Sequence, residues 1–143
     1  MAEVIVRSEG NLRQRIEGNG QVFLADEPRA AGGDDAGPDP YTLLLGALGA
    51  CTAMTLQLYA RRQAWPLQGV EVRLTHERAY AEDCERPDAA DCRLTRITRR
   101  LTLLGPLDGA QRSRLVEIAA RCPVHKTLTG EIEIADEGLR TED

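Results

Sequence analysis

The sequence predicts an α+β fold. Three observations carry that expectation: short apolar segments that alternate near the N-terminus, a long helical stripe behind an Asp-Pro start signal, and an alternating pair of strands followed by two shorter helices. At 143 residues the chain has the size of a single domain, so residues 1–143 are read as one domain around one core. With only one Trp, three Tyr and one Phe, that core must be built from Leu, Ile, Val and Ala.

The first three strands are read at Glu3 to Arg7, Leu12 to Ile16 and Gln21 to Ala25. A loop rich in Pro, Gly and Asp runs from Asp26 to Asp39. Asp39 can cap orphan backbone N–H groups, and Pro40 suits the first helical position because the donor it lacks is not needed there. A helix from Pro40 to Gln63 follows, with Leu44, Ala47, Leu48, Cys51, Thr55 and Leu58 at three- and four-residue spacing on its apolar face. Gly46 and Gly49 cost helix propensity, which is tolerable where another backbone packs close. Pro66 and Gly69 end the stretch.

From Val70 the chain alternates to Tyr80, with Val70, Val72, Leu74 and His76 on one face; His76 reads as a hydrogen-bonded core or interface residue. The acidic segment Glu82 to Cys92 reads as an exposed connection, and a second alternating strand runs from Leu94 to Leu104, closing a long hairpin. Its basic run Thr98-Arg99-Arg100 reads as a solvated strand end. After Gly105-Pro106, Asp108 offers a cap for a helix whose Leu115, Ile118, Ala119 and Cys122 share a face. Pro123 starts a short helix through Leu128, Gly130 stands behind it, and Glu131 to Ala135 alternates as a last strand.

A formal net charge of -5, with arginines interspersed among acids, argues against a nucleic-acid partner. No stretch reads as apolar over the roughly 20 residues that a membrane span needs, and the N-terminus lacks the pattern of a signal peptide. A cytoplasmic location is therefore expected. In that compartment idle thiols stay reduced, so any chemistry of the four cysteines is expected to be transient or catalytic.

Cys51 and Cys122 stand on helical stripes, where a free cysteine is ordinarily a small buried hydrophobe. Cys122 differs in its setting. It precedes Pro123, His125 and Lys126 at a helix start, surroundings that favour a thiolate. Spacing alone does not say whether the two sulfurs meet. Cys84 and Cys92, seven residues apart in the acidic connection, match no standard zinc pattern even with His76 and His125 added, and nearby Glu82, Asp83, Glu85 and Asp91 disfavour a thiolate there. No metal and no cofactor is expected.

The run GPDPYTLLLGALGACTAM from Gly37 to Met54 resembles the first signature of the OsmC/Ohr superfamily, and ARCPVHKTL from Ala120 to Leu128 resembles the second. The order of strands and helices is similar too, and Thr75-His76-Glu77-Arg78 with Glu82-Asp83-Cys84 resembles the OsmC-like branch more than a typical Ohr protein. The resemblance implies an intertwined homodimer with antiparallel sheets wrapped around a long central helix per subunit. It implies a thiol-dependent peroxidase in which Cys51 attacks organic hydroperoxides, and hydrogen peroxide more weakly, before Cys122 resolves the sulfenic acid as a disulfide. The electron donor implied is a dithiol or a lipoylated protein. An arginine of the N-terminal strands is expected to hold the thiolate; Arg13 and Arg15 are the candidates. Many Ohr members carry a glutamate ten residues before the first cysteine, where this chain has Tyr41, a candidate to hydrogen-bond the peroxide or simply to pack in the first helical turn. That departure keeps two alternatives open: a stress-associated binding module with vestigial peroxidase activity, and a redox sensor.

Overall fold

In the computed structural model, residues 2–80 and 93–141 are described. The elements run β1 (Val4–Ser8), β2 (Gln14–Gly18), β3 (Gln21–Ala25), a 3-10 turn at Arg29–Ala31, α1 (Pro40–Gln63), β4 (Gly69–Tyr80), β5 (Arg93–Leu104), α2 (Gly109–Ala119) and α3 (Pro123–Thr129). This is the α+β architecture expected. Cys84, Cys92 and the connection from Glu82 lie outside the described residues.

The described residues form two compact units, one drawn from Met1–Ala47 and Leu74–Thr98, the other from Leu48–Arg73 and Arg99–Asp143. In the first, β1, β2 and β3 make an antiparallel sheet in that order, with Val4 opposite Gly18 and Gln14 opposite Ala25. Asn19 and Gly20, at φ 49 and 76, form the β2–β3 turn, because two consecutive positive φ values match the twist of the flanking strands. The second strand was expected at Leu12 to Ile16 but begins at Gln14. Gly10 and Asn11 both take positive φ and the Arg13 N–H donates to Gly10 O, so the turn consumes those residues.

The loop after β3 is organised by one buried side chain. Asp26 accepts hydrogen bonds from the backbone N–H groups of Glu27 (2.8 Å), Asp34 (3.2 Å) and Ala36 (3.1 Å). Burial raises its pKa, but those donors and the nearby Arg13 reverse the shift and hold the carboxyl below its usual range. A Cβ at Gly33 would strike Glu27 O, and one at Gly37 would strike Leu24 O, which is why glycine stands at both. Asp39 then caps α1 through the Thr42 N–H at 3.0 Å.

The core of the second unit gathers Leu56 and Ala60 of α1, Leu107, and Leu115, Ile118 and Ala119 of α2, flanked by Tyr59, Trp65, Val70, Leu101 and Leu103. α2 starts in a capping box, Asp108 accepting from Gln111 N while the Gln111 side chain accepts from Asp108 N.

Four expectations need correction. The buried face of α1 is Leu48, Thr52, Leu56 and Ala60 rather than the neighbouring stripe, since Leu44 and Leu58 are exposed. At Gly46 an added Cβ would meet open space, so among the described residues no backbone packs there. The segment Glu131 to Ala135 forms no strand: no described strand pairs with it, and Ile132 and Ile134 are exposed. Finally, α1 is long and apolar enough to cross a membrane by length and composition, with a mean hydropathy of 1.5. Its Ala, Leu and Gly content produces that value, while Leu56 and Ala60 pack in a core with α2 as a helix of a globular unit does.

Candidate active site

The second unit holds both cysteines of interest. Cys51 lies mid-way along α1, half-buried, beside the buried Thr52. Cys122 follows α2 in sequence and is the residue from which α3 springs; its side chain is 0% exposed. Pro123 forces the break, because it has no N–H to continue the preceding turn and its ring fixes the φ of a first helical residue. Cys122 thereby becomes an N-cap with extended backbone, φ -58 and ψ 133, and its Sγ accepts the His125 N–H at 3.3 Å.

Around these sulfurs the donors converge. The sulfurs of Cys51 and Cys122, 71 positions apart in the chain, lie close enough for each to perturb the ionisation of the other. The Val124 N–H and the hydroxyls of Thr52 and Thr55 lie near the pair, and the Thr52 hydroxyl donates to Leu48 O at 2.7 Å. Burial pushes the Cys51 thiol up, and the neighbouring Cys122 adds to that rise. Burial raises Cys122 as well, but the polar groups around it, Cys51 and the His125 N–H first among them, outweigh it and leave Cys122 below the ordinary cysteine value.

A residue read from sequence as solvated also joins this cluster. Arg99 of β5 is half-buried, and its Nη1 donates to Thr52 Oγ1 at 3.0 Å. The signal was present in the strand: Ile97, Arg99, Leu101 and Leu103 share one face and are all half-buried, whereas Thr98 and Arg100 are exposed. A guanidinium set into an apolar alternation asks for a partner.

The other candidates belong to the first unit. Arg13 is half-buried, its Nε has no hydrogen-bond partner among the described residues, and it stands 3.9 Å from a Glu9 carboxylate oxygen. Arg15 is exposed and bonded to Glu17 at 2.7 Å, a contact that raises the arginine and lowers the glutamate pKa. Tyr41, 50% exposed, stacks on His76 with ring centroids 4.6 Å apart and an interplanar angle of 6°. His76 is thus exposed and stacked rather than a core residue. His125 serves the thiol pair through its backbone N–H.

The family profile described as OsmC-like protein matches residues 32–136. No curated protein is a sequence match. Among solved structures, the chain is similar to an osmotic-stress-induced and detoxification-response protein of Psychrobacter arcticus, at 22% identity and TM-score 0.70, covering 89% of this chain and 88% of that one. An OsmC-like protein of Mycoplasma pneumoniae is similar at 19% identity and TM-score 0.68, covering 91% and 86%. An organic hydroperoxide resistance protein of Elizabethkingia anophelis is similar at 17% identity and TM-score 0.65, covering 93% and 91%. At these identities the likeness establishes the fold alone.

Proposed function

The chain belongs to the OsmC-like family, and from that premise we propose that it is a thiol-dependent peroxidase reducing organic hydroperoxides through Cys51 and Cys122. The observation that carries the reading is the pairing of two free thiols at the start of α3, where the buried Cys122 Sγ accepts the His125 N–H at 3.3 Å and the half-buried Cys51 lies close enough to perturb it. Such a pair suits two-electron reduction. The Cys51 thiolate attacks the distal oxygen of the hydroperoxide, the O–O bond breaks, and the alkoxide leaves as alcohol after taking a proton. Cys122 then displaces hydroxide from the Cys51 sulfenic acid to form a disulfide, and a dithiol or lipoylated protein returns both thiols by exchange. Cys51, half-buried, is the sulfur a substrate reaches; Cys122, fully buried, is suited to resolving.

The hydroperoxide resistance activity named for the Elizabethkingia protein agrees in class with this reading. The N-terminal arginine is assigned to Arg13, whose Nε has no hydrogen-bond partner among the described residues and only a 3.9 Å contact with Glu9, ahead of Arg15, which Glu17 engages at 2.7 Å. Tyr41 carries the substrate-binding assignment in place of the glutamate that Ohr members have. We place the protein in the cytoplasm as an intertwined homodimer of single-domain chains. The exposed apolar side chains Val4, Val6, Val22 and Phe23 of the N-terminal sheet favour association.

The test is turnover of cumene hydroperoxide with a dithiol reductant. Parent protein should turn over, while Cys51→Ser and Cys122→Ser should not; equal rates in all three would end the reading. A binding module would show no turnover in the parent, and a redox sensor would form one disulfide per chain and stop.

A further inference from the structure

Arg99 carries a charge that the described residues do not answer. It is half-buried on β5, on the strand face that also presents Leu101 and Leu103 to the core. Its Nη1 donates to Thr52 Oγ1 at 3.0 Å, and the Thr52 hydroxyl donates in turn to Leu48 O at 2.7 Å. A neutral hydroxyl whose proton is committed to a carbonyl orients a guanidinium without balancing its charge. Among the described residues no carboxylate forms an ion pair with Arg99, whereas Arg7, Arg13, Arg15, Arg73 and Arg114 each have one. A guanidinium set among apolar side chains, with N–H groups to spare, favours an anion brought from outside.

The place of that charge says what the anion is for. Thr52 is fully buried and directly follows Cys51 on α1, and Cys51 is half-buried. The 3.0 Å hydrogen bond, about 3.8 Å between consecutive Cα atoms and ordinary side-chain bond lengths keep the Cys51 sulfur within roughly 12 Å of Arg99 Nη1. That limit is close to a Debye length at physiological salt, about 8 Å, and a partly buried charge is screened less than an exposed one. Whatever approaches the Cys51 sulfur therefore meets the field of Arg99.

We propose that Arg99 is a specificity-determining residue of the Cys51 site, drawing to the sulfur hydroperoxides that carry a carboxylate about one ring's width from the O–O bond in preference to neutral ones. The choice of substrate rests on the peroxidase reading and alters none of its steps. Cys51 takes the distal oxygen, the O–O bond breaks, and the alkoxide leaves as alcohol after taking a proton, its carboxylate unchanged. The spare N–H groups of Arg99 hold that carboxylate by charged hydrogen bonds.

The test compares two alkylating reagents of nearly equal size, iodoacetate, an anion, and iodoacetamide, which is neutral. Both consume the thiolate, so the ratio of their rates at Cys51, read by mass spectrometry of its peptide, cancels any change in thiol ionisation and reports the local charge. Measured against N-acetylcysteinamide, the parent ratio should favour iodoacetate by about three- to tenfold, and high salt should weaken the preference. Arg99→Met should abolish it and Arg99→Lys should keep most of it. A merely structural Arg99 would move both rates together and leave the ratio in place. A parent ratio equal to that of the free thiol, or one unmoved in Arg99→Met, would overturn the proposal. Should Arg99→Met fail to fold, Arg99→Gln, which keeps a planar donor and removes the charge, decides in its place. Oxidation of Cys51 by cumene hydroperoxide and by its para-carboxylate gives the substrate arm: the parent should favour the carboxylate by a similar factor, and Arg99→Met should not. An alkylation preference that depends on Arg99 in a protein inert to both peroxides would refute the peroxidase reading and leave Arg99 as the anion-selecting group beside Cys51. Turnover of cumene hydroperoxide with no preference for the carboxylate would do the reverse.

Discussion

Oxidising the thiol pair should stabilise the protein, and the size of the effect follows from where the two sulfurs sit. Cys51 and Cys122 are 71 positions apart in sequence yet lie close enough in the reduced protein to perturb each other's ionisation. A disulfide between them removes the closure entropy of a loop of about 70 residues from the unfolded chain, worth about 4 kcal/mol. Because the sulfurs are neighbours before oxidation, little of that gain is spent on bending the native backbone. For a chain of this length the gain corresponds to a rise in melting temperature of roughly 10 °C. The assay is a thermal melt of the parent, reduced and after one equivalent of cumene hydroperoxide, beside the same pair of melts for Cys51→Ser. An oxidised parent melting with the reduced one would refute the reasoning. So would an equal rise in Cys51→Ser, since the stabilisation would then come from elsewhere in the chain.

Leu115, fully buried between α1 and its own helix, should lose about 2–5 kcal/mol as Leu115→Ala, read as a lowered urea midpoint at unchanged slope. Gly33→Ala should destabilise by about 1–3 kcal/mol because its Cβ meets Glu27 O and Asp26, with loss of amide protection at Asp34 and Ala36 as the local readout. Asp26 gives a pH dependence of definite sign. Its folded pKa lies below the unfolded value, so the stability it contributes is fully present above about pH 4 and drains away as the pH falls through the lower folded value. The gap in urea midpoint between parent and Asp26→Asn should therefore close on acidification; a gap constant from neutral to acid pH would contradict it.

How far the sequence could be read depended on whether a feature was local. Asp39-Pro40 and the Pro66 region bounded α1, and Asp108 and Pro123 placed the starts of α2 and α3, because caps and proline act within a few residues. The contact of Cys51 with Cys122 was not legible in that way, since it depends on how α1 and the α2–α3 break fold together. The buried face of α1 was misjudged by one helical step because nearly every residue from Leu43 to Ala53 is small or apolar, which leaves periodicity little contrast. Arg99 was hidden for a different reason. Next to Arg100 it looked like part of a surface run, and only its phase with Ile97 and Leu101 distinguished it. The alternation of Glu131 to Ala135 was real in sequence but has no described strand beside it, and a strand exists only where another completes its ladder.

The sulfur of Cys122 does structural as well as chemical work, for it tethers the first turn of α3 through the His125 amide. Alanine at this position would therefore remove two things together, a reactive atom and the fastening of a helix, the latter costing about 0.5–2 kcal/mol. Serine separates them: its hydroxyl is among the best fastenings known for a helix start and is inert toward a sulfenic acid. A Cys122→Ser protein should keep α3 wound while silent in redox chemistry, so its silence speaks about the sulfur and not about a frayed helix.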